Sequence, residues 1–330
     1  MRKTPSNRQL FSLIKKVVLL KFGRYLGALN LAETIDMTEK IGLVGFGIMG
    51  AAIASRLTDN GYSVLICDAS DAVTSNAKQL GYGVCETPAE IAELTKVVLM
   101  SLPKPEHVKT VVRDPDCGLL AKASIGTIIV DTSTVDPATS RENAEHSEKQ
   151  GVGYLDCPVL GRPSACGNWT LPTGGSQRYI ESVRPILHTF ASKVIPVGSS
   201  GYGNLVKLLN NLMFGAINSI TCEMFALCFH SGMDPRLLFE TISNSGAGTV
   251  SNLFKELGPK IIDSEFSPVF SIDNLQKDIQ LGIGLAKEFG MELKMSEVVQ
   301  ETNVAAQLAG FGKEDTSALV KTYKRHSKWK

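Results

Sequence analysis

The chain has 330 residues, which is too long for one ordinary core and predicts two domains. Its 34 Lys and Arg residues nearly balance 33 Asp and Glu residues, and the net charge of +1 gives no reason to expect nucleic acid or an acidic polymer as a partner. The 7 cysteines contain no Cys-x-x-Cys pair and the 5 histidines show no metal-ligand spacing. We therefore expect a reduced protein without a metal site.

The first 36 residues differ in composition from the rest of the chain. Between Met1 and Ala32 there are seven Lys or Arg residues and no acidic residue. Three interpretations stay open: a mitochondrial transit peptide, an extension lying on an anionic membrane surface, or a start assigned upstream of a natural one at Met37. Basic residues interrupt the apolar run, so no membrane span is expected. We expect a cytoplasmic protein, or a mitochondrial matrix protein if residues 1–36 are a genuine transit peptide.

Strand and helix patterns alternate from about residue 40 to residue 198. Strands are predicted over 40–45, 63–67, 97–101, 127–131 and 153–156, and helices over 51–60 and 138–150. The alternation predicts an α/β fold, a doubly wound and mostly parallel Rossmann sheet with helices on both faces. We assign residues 37–199 to this dinucleotide-binding domain.

After Gly203 the pattern changes to helices with no strand between them. Helices are predicted over 204–231, 234–244, 250–257, 275–289 and 295–309. Residues 200–330 are therefore predicted to form an all-helical domain for substrate binding and oligomerisation, and the glycines from Gly198 to Gly203 to link it to the first domain.

A glycine-rich turn lies between the first predicted strand and the first predicted helix. Its residues are Gly45-Phe46-Gly47-Ile48-Met49-Gly50, the G-x-G-x-x-G pattern in which glycines allow a tight turn, close approach of a pyrophosphate and close helix packing. Asp68 ends the second strand, where its carboxylate suits a ribose 2′-hydroxyl and repels a 2′-phosphate. No Arg or Lys follows at 69–71, so the sequence predicts NAD, with NADP less favoured.

Two polar segments carry candidate catalytic residues. Ser133 follows a strand at its carboxyl end, where α/β sheets bind ligands, although the segment also suits a helix start capped by Thr134 or Asp136. Lys207 and Asn211 are four residues apart and share one face of the long apolar helix. From the pattern alone, a solvent-facing lysine is the alternative.

Together these motifs resemble the β-hydroxyacid dehydrogenase family, and within it most closely its 3-hydroxyisobutyrate dehydrogenases, from about residue 40 to residue 325. The resemblance rests on Gly45 to Gly50, Leu102-Pro103, Asp131 to Pro137, Asp156 to Gly161, Gly201 to Asn211, Lys277-Asp278 and Gly312 to Leu319. It covers nearly the whole chain outside the leader.

The resemblance implies a role for each candidate residue. Lys207 would be the catalytic acid and base, with a pKa lowered by desolvation and by a second cation. Asn211 would help to hold the substrate, and Ser133 and the backbone around Gly161 would receive its carboxylate. The cofactor would be lined by Leu102, Pro103 and Thr134, with Lys277 beside the nicotinamide. The resemblance also implies a homodimer or homotetramer.

The substrate loop departs from the family's pattern at Leu160 to Pro163, which leaves the identity of the acid open. Arg162 in this loop either makes a bidentate contact to a second acidic group of the substrate or is a solvated surface residue. Trp169 either walls the pocket or packs in the core.

We therefore expect an oxidoreductase that transfers a hydride between NAD and a small β-hydroxyacid. Alternatives are a tartronate or succinic semialdehyde reductase of the same family, an imine reductase-like enzyme, and a non-catalytic NAD-binding scaffold. The retained Lys207 argues against the last two, and a phosphogluconate dehydrogenase would need a longer helical domain.

Overall fold

The computed structural model describes residues 40–246, 249 and 251–323. The leader predicted over residues 1–36 lies outside the described residues, as does the choice among its three interpretations. The described part of the chain forms an eight-stranded sheet followed by a set of helices. The predicted fold class is confirmed.

The sheet has the strand order β3-β2-β1-β4-β5-β6-β7-β8. Its strands are β1 Lys40–Val44, β2 Ser63–Cys67, β3 Gly83–Val84, β4 Val97–Met100, β5 Ile128–Asp131, β6 Gly153–Asp156, β7 Trp169–Gly174 and β8 Ala191–Gly198. Strands β1 to β6 are parallel, β7 runs antiparallel to β6, and β8 is parallel to β7. The chain leaves β1 for β2 on one side and later returns to β4 on the other, so the carboxyl ends of β1 and β4 flank the switch point where such sheets bind ligands.

Helices cover both faces of the sheet. They are α1 Ile48–Asp59, α2 Asp71–Gln79, α3 Pro88–Leu94, α4 Pro105–Arg113, α5 Leu119–Lys122, α6 Pro137–Glu148 and α7 Gln177–Phe190. Alternate residues of β1 supply the two core layers, because successive strand side chains point to opposite faces. Ile41 and Leu43 pack with α1 and α7, whereas Val44 packs with α3, α4 and α5.

The second part of the fold is helical. It contains α8 Tyr202–His230, α9 Pro235–Ser243, α10 Asn252–Asp263, α11 Ile272–Glu288 and α12 Lys294–Leu308, then a 3-10 segment Thr316–Tyr323. By length and composition α8 is apolar enough to cross a membrane. It packs, however, as a core helix: Cys222 and Phe225 are buried in one cluster with residues of α10, α11 and the 3-10 segment. This core explains the apolar residues on the buried face of α8, whereas Leu209, Met213, Ile220 and Leu227 remain exposed.

One predicted helix is longer than expected. The pattern predicts its end at Leu257, before Gly258 and Pro259, yet α10 continues to Asp263. Gly258 leaves room for the ring of Phe239 to pack directly on the helix, and Ile261 is fully buried one turn later. Burial of these apolar groups outweighs the lost proline hydrogen bond.

The start of α8 is fixed to the sheet by the carboxylate of Asp156, at the end of β6. This carboxylate accepts hydrogen bonds from the backbone N–H groups of Gly201 at 2.8 Å and Asn204 at 2.9 Å. Burial raises the pKa of Asp156 to about 6, although these two N–H donors favour the charged form. The Asn204 side chain in turn accepts from the N–H of Val135 and donates to Ser140. The first turn of α8 is therefore held at the carboxyl ends of β5 and β6.

Candidate active site

The glycine-rich turn after β1 has the shape that a dinucleotide requires. Gly45 has φ +92°, and a side chain there would overlap the carbonyl of Ser101. A side chain at Gly50 would overlap the carbonyl of Gly45, so this glycine lets α1 pack against the turn. A side chain at Gly47, by contrast, would meet nothing within 4 Å. Gly47 therefore faces an open space beside the helix.

The first turn of α1 offers free backbone donors to that space. The N–H groups of Ile48, Met49 and Gly50 have no acceptor within the helix, because they belong to its first turn. Gly47 caps the helix without a side-chain hydrogen bond, and the first turn holds no acidic residue. This arrangement suits the two negative charges of a pyrophosphate.

A hydrogen bond joins the backbone of Phe46 to the carboxylate of Asp68. The Phe46 ring is buried edge-on against Tyr82, with ring centroids 5.3 Å apart, and its N–H donates to Asp68 Oδ2 at 2.8 Å. The other carboxylate oxygen accepts from the N–H of Ser70 at 2.9 Å. Phe46, predicted as a cofactor residue, thus has both its amide and its ring engaged within the protein. Its contribution is to orient Asp68, whose two oxygens each keep a lone pair for a ribose hydroxyl.

The opposite wall is formed by the segments that follow β4 and β5. The hydroxyl oxygen of Ser133 accepts from the N–H of Leu102 at 2.9 Å, and the N–H of Ser133 donates to the Asp131 carboxylate at 2.9 Å. The Ser133 side chain also hydrogen-bonds to the Asp131 carboxylate, so this residue joins the segments that follow β4 and β5. Pro103 is exposed and Leu102 and Thr134 are half-buried beside this wall.

Lys207 lies one turn into α8, with its amine donating to the carbonyl oxygen of Val159 at 2.7 Å. Burial lowers the pKa of Lys207 below its ordinary value. The negative charge of Asp278 opposes this shift, while the positive charges of Lys277 and Arg162 add to it. Lys207 as a whole residue is half-buried.

Asp278 is a residue of the site that the sequence analysis quoted in a motif without giving it a role. It is almost fully buried, pairs with the amine of Lys277 at 2.9 Å and accepts from the side-chain amide of Asn211. Lys277 also donates to the carbonyl of Thr134 at 3.0 Å. These contacts join α8, α11 and the segment after β5. The signal available in the sequence was an acid next to a lysine within the apolar pattern of a predicted helix.

Asn211 has protein partners on both sides of its amide. Its Nδ2 donates to Asp278 and its Oδ1 accepts from the side chain of Asn210 at 3.0 Å. One N–H of Asn211 remains after these bonds, since an amide nitrogen carries two protons. The structure therefore brings Asn211 next to the charged group around Lys207 and ties it to Asp278.

Arg162 is not a solvated surface residue. Its side chain is 19% exposed, its Nε contacts Glu256 Oε1 at 2.8 Å, and its guanidinium lies 5.5 Å from the centre of the Phe214 ring. Trp169 is buried in the core, as the second interpretation of that residue predicts, and its indole N–H donates to the Arg162 carbonyl at 2.7 Å. A side chain at Gly161 would overlap the same indole ring. Glu256 and Phe214 were missed because both contacts join residues far apart in sequence.

Comparison with protein-family models covers nearly all of the described chain. Residues 40–198 match the NAD binding domain of 6-phosphogluconate dehydrogenase, and residues 201–323 match the NAD-binding domain of NADP-dependent 3-hydroxyisobutyrate dehydrogenase. Two models in the same order as the two parts of the fold account for both the sheet and the helices.

Curated relatives are similar over most of their own length. The chain is 29% identical to 2-(hydroxymethyl)glutarate dehydrogenase of Eubacterium barkeri, over 88% of this chain and 97% of the relative. It is 27% identical to mitochondrial 3-hydroxyisobutyrate dehydrogenase of Rattus norvegicus, over 90% and 91%, and 27% identical to glyoxylate/succinic semialdehyde reductase 1 of Arabidopsis thaliana, over 86% and 98%.

A solved structure of similar fold is 3-hydroxyisobutyrate dehydrogenase from Salmonella typhimurium. It is 25% identical, with a TM-score of 0.78, and the match covers 86% of this chain and 99% of that one. The helical part and the sheet are thus arranged as in a solved dehydrogenase.

The turn after β1 yields a prediction with a matched pair of variants. Gly50→Ala places a methyl group against the Gly45 carbonyl and should lower the free energy of unfolding by about 1–3 kcal/mol. Gly47→Ala meets open space and should change it by less than about 0.5 kcal/mol, yet weaken dinucleotide binding at least about tenfold. Denaturant unfolding and fluorescence titration with NAD measure the two effects. Tight NAD binding by Gly47→Ala would show that this glycine does not face the pyrophosphate.

Proposed function

The chain belongs to the β-hydroxyacid dehydrogenase family, and we propose that it transfers a hydride between NAD and a small 3-hydroxyacid with Lys207 as the general acid and base. The family is NAD(P)-dependent, so the enzyme class follows from membership; the role of Lys207 and the preference for NAD are our proposals. The role of Lys207 is carried by one observation, a lysine amine with a lowered pKa held at the carboxyl ends of the strands. The preference for NAD is carried by the Asp68 carboxylate beside the glycine-rich turn.

The cofactor fits the residues present. The open space at Gly47 and the free N–H groups of Ile48 and Met49 suit the pyrophosphate, and the carboxylate of Asp68 suits the adenosine ribose. When bound, the nicotinamide accepts or returns the hydride. Every other part of the chemistry falls to the side chains of this chain.

In the oxidation direction the neutral amine of Lys207 takes the proton of the substrate hydroxyl as the hydride departs from carbon. The ammonium that forms is stabilised by the Val159 carbonyl and the charge of Asp278. In the reverse direction the same ammonium protonates the forming alkoxide. Ser133, whose hydroxyl lies where the segments after β4 and β5 meet, is the residue that we propose to contact the substrate carboxylate.

A semialdehyde reductase of the same family is the second candidate. The Arabidopsis relative is named for reduction of glyoxylate and succinic semialdehyde, and the proton chemistry at Lys207 is the same in reverse. A panel of hydroxyacids and semialdehydes with NAD and NADP, followed at the nicotinamide absorbance, distinguishes the two. Turnover of none of them would contradict both candidates.

Lys207 gives the sharpest test. Lys207→Met should lower turnover by about 10²–10⁴-fold while NAD still binds, because the proton acceptor is lost and the fold loses a buried amine. The thermal midpoint of Lys207→Met should not fall much below that of the wild type, since burial disfavours the positive charge of Lys207 in the folded state. In the wild type, kcat/KM for oxidation should rise with pH through a lysine pKa below 10.5, and for reduction it should fall over the same range.

The matched control is Lys193→Met, which removes an exposed lysine from β8 and should keep both the turnover and the pH profile. A Lys207→Met enzyme that retained wild-type turnover or the same pH profile would contradict the role proposed for this amine.

Asp68 tests the cofactor preference. Asp68→Ala removes the acceptor for the ribose hydroxyls and the charge that repels a 2′-phosphate, so the ratio of kcat/KM with NAD to that with NADP should fall about 10–100-fold. Asp71→Ala, at the exposed start of α2, is the control and should leave the ratio unchanged. If the ratio stays constant in Asp68→Ala, the carboxylate does not select the cofactor.

We further propose a homo-oligomer, dimer or tetramer, with α8 in its interface. Leu209, Met213, Ile220 and Leu227 are each between 54% and 71% exposed, and their spacing places them on one face of the helix. Light scattering should give at least a dimer mass for the wild type and a smaller mass for Leu227→Lys. Leu80→Lys, at an exposed apolar site outside α8, should leave the mass unchanged. A monomeric wild type at micromolar concentration would contradict the proposal.

A further inference from the structure

The guanidinium group of Arg162 has two terminal nitrogens that no group in the described part of the chain satisfies. Both are buried, and neither has a hydrogen-bond partner there. The Nε of the same group is bound by Glu256 at 2.8 Å. The edge of the guanidinium that carries the two terminal nitrogens therefore presents at least two unused N–H donors.

Buried donors of a charged group rarely stay unpaired in folded proteins, because each one loses its hydrogen bonds to water without replacement. Arginine in particular offers two parallel N–H groups at the spacing of the two oxygens of a carboxylate. The unsatisfied edge of Arg162 is thus shaped for an oxyanion that comes from outside the chain.

The surroundings hold this edge in place. Glu256 fixes Nε, the Phe214 ring lies along the guanidinium face, and the Arg162 carbonyl is bound by Trp169 from the core. A donor pair held in one orientation loses little conformational freedom when an anion binds. Because both nitrogens are covered in this structure, an entering acid has to displace the side chains over them.

Arg162 is also close to the proposed reacting centre. Arg162 lies three residues after Val159, whose carbonyl binds the Lys207 amine. The Cα atoms of Val159 and Arg162 are therefore at most about 11 Å apart. The positive charge of Arg162 also acts on the Lys207 amine, which agrees with a position near the same site. The carboxylate that all 3-hydroxyacids share is assigned to Ser133 under the proposed function.

We propose that Arg162 binds a second carboxylate of the substrate, so that the preferred substrate is a 3-hydroxyacid with two acidic groups. This inference rests on the proposed function, since it concerns the same site. It names the substrate class that the family membership leaves open.

A matched pair of acids tests it. 3-Hydroxyisobutyrate and 2-(hydroxymethyl)glutarate share the hydroxymethyl group and the adjacent carboxylate, and differ where a methyl group is replaced by a carboxyethyl group. The amide of that distal carboxylate serves as the neutral analogue. The wild type should show a kcat/KM for the diacid at least about tenfold above those for the monoacid and the amide.

Arg162→Gln should lower the ratio of diacid to monoacid kcat/KM by about 10–100-fold, and Arg162→Lys should lower it less, because a point charge is retained without the fork. Arg178→Gln, at an exposed position of α7, should leave the ratio unchanged. An unchanged ratio in Arg162→Gln, or an equal loss on both acids, would overturn the inference, since Arg162 would then be structural or bind the shared carboxylate.

The outcomes separate the two proposals. Turnover of the monoacid without preference for the diacid overturns this inference and leaves the dehydrogenase intact. If neither acid is turned over, the proposed function fails, and calorimetric titration of the NAD-loaded enzyme with the two acids decides the inference. Tighter binding of the diacid that is lost in Arg162→Gln supports it, and equal binding of both acids overturns it.

Discussion

The hydrogen bond between the amine of Lys207 and the carbonyl of Val159 is the contact on which the site depends. It joins the first turns of the long helix to the segment after β6, and it holds an ionisable group where burial disfavours its charge. The position of the amine follows from the clamp one turn earlier, where the Asp156 carboxylate binds the N–H groups of Gly201 and Asn204. A short displacement of this helix start would move the amine away from the strand ends and let water reach it.

Burial alone would make the Lys207 amine too weak a base to take the substrate proton, and the charges around it set a compromise. Asp278 favours the ammonium, while Lys277 disfavours it. These two residues are paired with each other and are fixed by Asn211 and by the Thr134 carbonyl. The free-energy cost of holding such a group part-buried is offset by the two clusters of buried apolar side chains on the faces of the sheet. The buried amine lowers the free energy of unfolding, as groups in active sites often do, and the apolar cores raise it.

The sequence predicts the parts of the fold and site that are encoded locally. The glycine turn, strands β1, β2, β4, β5 and β6 and the long helix follow from periodicity and punctuation. Spacing places Lys207 and Asn211 on one helix face, and the roles expected for them come from the family resemblance. The unit β7-α7-β8 was not predicted from the sequence, because Pro172, Pro185 and Pro196 lie inside its three elements. Prolines argue against central strands and helix interiors, and β8 tolerates one because it is an edge. The contacts of Asp278 with Asn211 and of Glu256 with Arg162 join distant residues, so no local pattern carries them.

The same electrostatics explain why a second acidic group on the substrate would need its own cation. An anion close to Lys207 favours the ammonium, and a dianion would do so more strongly, leaving less neutral amine to take the hydroxyl proton. A guanidinium that neutralises the distal charge where it sits removes most of that effect. A guanidinium is suited to this because it binds a carboxylate through two parallel N–H groups, whereas a lysine at the same place would offer only a point charge. The partner of Arg162, Glu256, contacts only Nε, so the two terminal nitrogens keep their N–H donors for the substrate carboxylate.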